Sequence, residues 1–366
     1  MQLKRFEGLD VVRTLLAVLV ALGHFFIWNG VLTVIPISFF LAVDFFFVLS
    51  GFVLTQSVLH DSHRKFIPFL KHFFLRRVFR LYPLYILVFV LTCVEQVYHY
   101  GWPSDKLYYF LLSFFLLHAM GPESNAVNLY SATSIGIAWS ISVELWAGLI
   151  FFSVVFLLRE YRRLLIAACL ITVAVTLYLM VKYSPIKMNV NLQRYNGIAT
   201  FGEIRGFMGF ALGYLGYVIY QQLNKINWRN PVIFTIAEVL ILSAIAFMYV
   251  HIGVGTYNTD YEFAGPVMAM LVVIVIASGH GYLSRLLYRE ELHSLRNISF
   301  AVYLVHPFYI MIYKAFTLPF TVLSAIPYIM MIIATSFPLY LFIEKKGIEI
   351  GRRFHKKSRP SREERL

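Results

Sequence analysis

Residues 9–28 read LDVVRTLLAVLVALGHFFIW. Twenty mostly apolar residues make a helix of about 30 Å, the thickness of a bilayer's hydrocarbon core. The same stretch carries Asp10, Arg13 and His24. A central Arg in such a segment costs about 2.5–3.5 kcal/mol by insertion scales, so an ionisable group there points to function. Arg13 and His24 are eleven residues apart. That is about three helical turns, so both project from nearly one face, about 16 Å apart along the axis. One helix face thus carries a cation near one membrane surface and an imidazole near the other. The plainer alternative is an interfacial arginine that snorkels and a histidine packed between helices. Asp10 and Arg13, with no small-residue cleavage site after them, argue against a signal peptide.

Working outward, the whole chain repeats this apolar character. It is 59% hydrophobic and 14% charged, against about 25% charged in soluble domains. The expected fold is all-α and polytopic, with about ten transmembrane helices near 9–28, 37–58, 82–98, 134–158, 164–181, 202–220, 232–250, 263–279, 298–316 and 321–343. A further piece, Leu107–Met120, is too short to cross and is expected as a half-helix on the outer side. Ten crossings with both termini cytoplasmic put 26 of the 32 Lys and Arg inside, as the positive-inside rule requires. Residues 1–343 then form one membrane-embedded domain and 344–366 a basic cytoplasmic tail, drawn to anionic lipid. The net charge of +13 is spread over loops between spans without a nucleic-acid motif, so membrane lipid is the expected partner and nucleic acid is excluded. Cys93 and Cys169 lie in apolar runs and form no motif. No metal site is expected.

Several polar residues sit inside spans. Asp44, in FFLAVDFFFVLSGFVL, is flanked by large apolar side chains and must look into the bundle, either orienting His24 or making a helix–helix contact. Arg76, Arg77 and Arg80 stand just before Pro83, which is expected to open the third span. Three guanidinium forks near Arg13 suit phosphates arriving from the cytosol better than they suit a simple anchor. Glu144 lies about ten residues into the fourth span, Glu203 and Arg205 at the outer rim of the sixth, and Tyr303 and His306 in the ninth. Together His24, Asp44, Glu144 and His306 suggest a polar cavity within the membrane.

In order along the chain these residues resemble the motifs of the acyltransferase-3 family, integral-membrane enzymes that O-acylate bacterial surface glycans. Arg13-x10-His24 is similar to the family's Arg-x10-His. Val43-Asp44-Phe45-Phe46 through Ser50-Gly51-Phe52 resembles its Asp-Phe-Phe…Ser-Gly-Phe stretch, and Arg76-Arg77-x-x-Arg80-x-x-Pro83 its Arg-rich motif. Trp139-Ser140-Ile141-Ser142-Val143-Glu144 and Ser299 to Pro307 resemble two more. Phe300 stands where Tyr is usual, and Glu344-Lys345-Lys346 replaces a closing Glu-Lys-Pro.

The resemblance implies an O-acyltransferase of the bacterial cell membrane with acyl-CoA, most simply acetyl-CoA, as donor, a saccharide as acceptor and no bound cofactor. Its phosphates would lie on Arg77 and Arg80, with Arg76 and Arg13 alongside. His24, oriented by Asp44 or Glu144, would deprotonate the acceptor hydroxyl; Glu144 could instead bind the sugar. Trp139, Tyr303 and His306 would line the cavity. A proton-coupled transporter or flippase also uses intramembrane carboxylates and histidines, but internal repeats and paired broken helices would be expected of it, and the sequence has neither.

Overall fold

The computed structural model describes residues 5–27, 39–63, 65–100, 107–121, 136–189, 191–226, 230–253 and 260–357. Trp28, the first residues of the spans expected from 37 and from 134, and positions 358–366 of the tail lie outside these. With no water in hydrocarbon, each apolar run must satisfy its backbone within itself, and each is a helix. They are α1 Glu7–Ile27, α2 Leu41–Leu59, α3 Phe66–Tyr100, α4 Leu107–Phe114, α5 Trp139–Leu157, α6 Arg162–Tyr183, α7 Phe201–Leu223, α8 Pro231–Gly253, α9 Gly265–Ser278, α10 Tyr282–Leu287, α11 Ser299–Ala315, α12 Val322–Leu339 and α13 Lys345–Lys357. The chain is an all-α polytopic membrane protein. Large side chains turn outward where a soluble protein would hide them, as with Ile171 and Val175 on α6 and Ile236 and Leu240 on α8, while the ion pairs Asp44–Arg205 and Arg77–Glu144 face inward.

Among the described residues, eight helices are long and apolar enough to cross a membrane, or nine if the bent pair Glu290–Asn297 and Ser299–Ala315, at 58°, is one span. The span expected at 202–220 is present as α7, but Glu203, Arg205 and five glycines dilute its apolar character. It needs little, because α7 is buried among α2, α5, α6 and α9 rather than set against lipid. Glycines let α2 and α7 touch backbone to backbone. A Cβ on Gly51 would stand 2.7 Å from the Phe210 carbonyl oxygen, and one on Gly213 would meet Phe52 N at 2.5 Å. Thr200 starts α7 with a capping box, accepting from Glu203 N while Glu203 Oε2 accepts from Thr200 N at 2.7 Å.

The short piece after α3 does not cross. α4 is eight residues long, about 12 Å, and the chain beyond it is held by carbonyls: Leu116 O accepts from Ser142 Oγ at 2.5 Å and Phe115 O from Trp146 Nε1 at 3.0 Å.

Two helices differ from expectation. Pro83 lies inside α3 rather than at its start, so one helix of about 52 Å carries both the arginines and the membrane segment. The Phe79 carbonyl, which loses its donor to Pro83, is covered by Gly347 of α13. The basic tail begins as a helix. α12 runs through a π turn, Tyr340–Glu344, into α13, which packs on α3 with Phe354 stacked on Phe79 at 5.4 Å.

Candidate active site

Asp44 and Arg205 join the centre of the bundle. Arg205 Nε donates to Asp44 Oδ1 at 2.9 Å and Nη2 to Oδ2 at 2.8 Å, with Nη2 also donating to Phe40 O at 3.2 Å. Asp44 is fully buried and Arg205 only 2% exposed. Trp139 lies against the guanidinium, 5.2 Å from its ring centroid, and packs on Gly202 and Phe47. Both oxygens of Asp44 are thus engaged on the α2–α7 seam. Arg205, expected at a rim, is turned inward.

The three arginines of α3 separate by helix geometry. Arg76 and Arg80 share a face one turn apart, whereas Arg77 is rotated about 100° from Arg76. Arg77 points into the bundle, where its Nη2 donates to Glu144 Oε1 at 2.5 Å; the same oxygen accepts from Ser50 Oγ at 2.9 Å. Arg13 on α1 pairs with Asp10 at 3.4 Å.

Arg76 and Arg80 line a chamber of about 610 Å³ together with Arg5, Arg13, Lys345 and Arg352. Asp10, Glu344 and Glu349 also line it, so cations outnumber carboxylates. Arg13, Arg80 and Ser299 are shared with a second, narrower cavity of about 60 Å³. That cavity runs between Phe46, Phe47, Leu81 and Phe300, past Ser50 and Glu144, to Ser140 and Tyr303. Tyr303 is fixed at its end, its hydroxyl 2.8 Å from Ser140 Oγ and donating to Ile137 O at 3.0 Å.

Beyond Tyr303 stand two histidines. The His306 ring lies 5.9 Å from the Tyr303 ring centroid, and His306 Nε2 is 3.1 Å from His24 Nδ1 with the imidazoles stacked at 5.1 Å. Phe39 packs edge-on against His24. α11 is set against α1 partly by Arg296, which donates to Glu7 at 2.6 Å and to the Tyr288 and Arg289 carbonyls. Arg13 thus lines both cavities, and His24 lies beyond Tyr303 against His306. Of the expected site residues, Arg13, Arg76, Arg80, Glu144 and Tyr303 line the cavities and His306 meets His24. Asp44 and Trp139 gather on Arg205, and Arg77 holds Glu144. Ser50, Ser140 and Arg205 were not singled out as site residues; only Arg205, an arginine inside a span beside Glu203, carried a signal. Among the described residues, no group of His, Cys, Asp or Glu is arranged to hold a metal ion.

Neither a curated protein nor a solved structure matches the chain. A family profile described as an acyltransferase domain matches residues 6–341. That stretch spans every helix from α1 to α12 and all of the narrower cavity, so the chain belongs to the acyltransferase-3 family and is a membrane acyltransferase.

Proposed function

We propose that the chain moves an acyl group, most simply acetyl, from cytosolic acyl-CoA to a hydroxyl of a cell-surface or lipid-linked saccharide in the bacterial cell membrane. The observation that carries this reading is the union of the two cavities: a wide cationic chamber that narrows, at Arg13 and Arg80, into a mostly apolar cavity ending at Tyr303, whose ring lies 5.9 Å from that of His306. A nucleotide with phosphates suits the first, and a thin pantetheine arm suits the second. Arg13, Arg76 and Arg80 are the phosphate ligands in this reading. Arg77 is a positioning residue that holds Glu144 on the channel wall.

His24 is the general base. His306 Nε2 faces its Nδ1 at 3.1 Å. With the proton on Nδ1 donated to His306, Nε2 keeps its lone pair. Nε2 takes the acceptor's hydroxyl proton as the oxygen attacks the thioester carbonyl; the C–S bond breaks, and the thiolate recovers that proton from the imidazolium. The products are an ester and free CoA. His306 positions the ring that does this.

Orientation follows from charge. The chamber end holds the basic loops and is assigned to the cytosol, with both termini there. Single cysteines at Lys187 should be labelled by an impermeant reagent from outside and those at Glu160 should not; the reverse pattern overturns this orientation.

The donor site is tested with purified protein and acetyl-CoA. Arg80→Ala should raise the donor KM about tenfold or more, the equivalent of one or two lost charge-assisted hydrogen bonds. Arg80→Lys should recover only part, because a point charge lacks the guanidinium fork. An unchanged donor KM in Arg80→Ala would put the phosphates elsewhere.

A further inference from the structure

α13 lies beyond residue 341, outside the stretch that matches the family profile, and attraction to lipid would account for its charge without any site. Its packing says more. Gly347 and Gly351, one turn apart, face α3: a Cβ at Gly347 would sit 2.6 Å from Phe79 O, and one at Gly351 2.9 Å from Phe79 Cβ. Small residues four apart are how helices meet closely in a membrane protein. This seat turns Lys345, Ile348, Glu349 and Arg352, which follow a helical stripe, into the chamber. Arg353, the next residue, is exposed and does not line it. α3 and the α12–α13 helix are each longer than a bilayer core is thick, and side by side they wall the chamber.

The order of cations along the chamber follows the helices. Arg80 and Arg13 stand at the neck shared with the channel. Arg76 is one turn further out on α3, and it and Arg352 both line the chamber. In acyl-CoA the diphosphate adjoins the pantetheine arm, and the 3′-phosphate hangs on the ribose beyond it. We propose that α13 is the wall of the donor site that reads the 3′-phosphate of coenzyme A, with Arg352 and Arg76 as its clamp.

This rests on the acyl-CoA reading above and is tested by comparing acetyl-CoA with 3′-dephospho-acetyl-CoA on the full-length protein in detergent. The parent should favour acetyl-CoA in kcat/KM by about tenfold or more, as expected for charge-assisted bonds to a phosphate. Arg352→Ala should narrow that ratio to within about twofold, and Gly351→Val, which unseats the helix, should do the same. Arg353→Ala removes an equal charge from the same helix and should leave the ratio as it is. The inference is overturned if Arg352→Ala keeps the parent ratio, if Arg353→Ala narrows it equally, or if the effect appears only with anionic lipid. A parent that uses both donors equally well overturns it alone; a parent that uses neither overturns the donor reading beneath it as well.

Discussion

His24→Ala should lower acyl transfer by about 10²–10⁴-fold, the usual worth of general-base assistance, while donor binding stays close to that of the parent. The two effects separate because the path is long. Arg13 sits about 16 Å down the same helix, on the wall of the cationic chamber. His24 packs edge-on with Phe39 and stacks on His306, so a methyl group in its place leaves a gap that those rings can partly close. The loss belongs in kcat, since a base acts in the transition state and not in donor binding. His306→Gln removes the positioning ring and should reduce turnover less, with a change in the pH profile of kcat that a merely structural role would not produce. Arg13→Ala should do the opposite of His24→Ala and raise the donor KM. The measurement is transfer to purified glycan alongside equilibrium donor binding, with thermal unfolding as the check on folding. Parent-like turnover in His24→Ala would take the base out of this mechanism.

Much of this architecture was legible because polar residues in hydrocarbon are costly and therefore informative. Arg13 and His24 announced a two-ended helix face, and the short run after Lys106 announced a piece that does not cross. What could not be read were partners far apart in sequence. His24 meets His306 across 282 residues and Asp44 meets Arg205 across 161, and no local pattern encodes either meeting. The carboxylates illustrate the consequence. The resemblance left Asp44 and Glu144 as alternatives for orienting His24, yet each has an arginine, Arg205 and Arg77, engaging it in the fold. Arg77's inward turn was implicit in its one-residue offset from Arg76. Pro83 misled for a physical reason. A proline usually opens a helix, but inside α3 the carbonyl it frees lies under α13, so the break the rule predicts does not occur.

The Asp44–Arg205 pair leads to a second large effect, on stability. Asp44→Ala takes the carboxylate that accepts two hydrogen bonds away from a guanidinium that is 2% exposed. Removing one partner of a buried ion pair costs about 3–5 kcal/mol, because the remaining charge is stranded in a medium that cannot solvate it. The unfolding midpoint in detergent should fall steeply, and the yield of folded protein with it. Asp44→Asn keeps the shape and one acceptor, and should fall in between. Arg205→Met combined with Asp44→Ala should recover much of the loss, since an apolar pair of similar volume removes the stranded charge. These variants also decide what Asp44 is for. A carboxylate whose work is to join α2 to α7 takes activity down only as far as it takes the fold down, and the double variant should regain both together. If Asp44→Ala instead unfolds at the parent's temperature and is inactive, the carboxylate serves the chemistry at His24 directly, and the ion pair is incidental to stability.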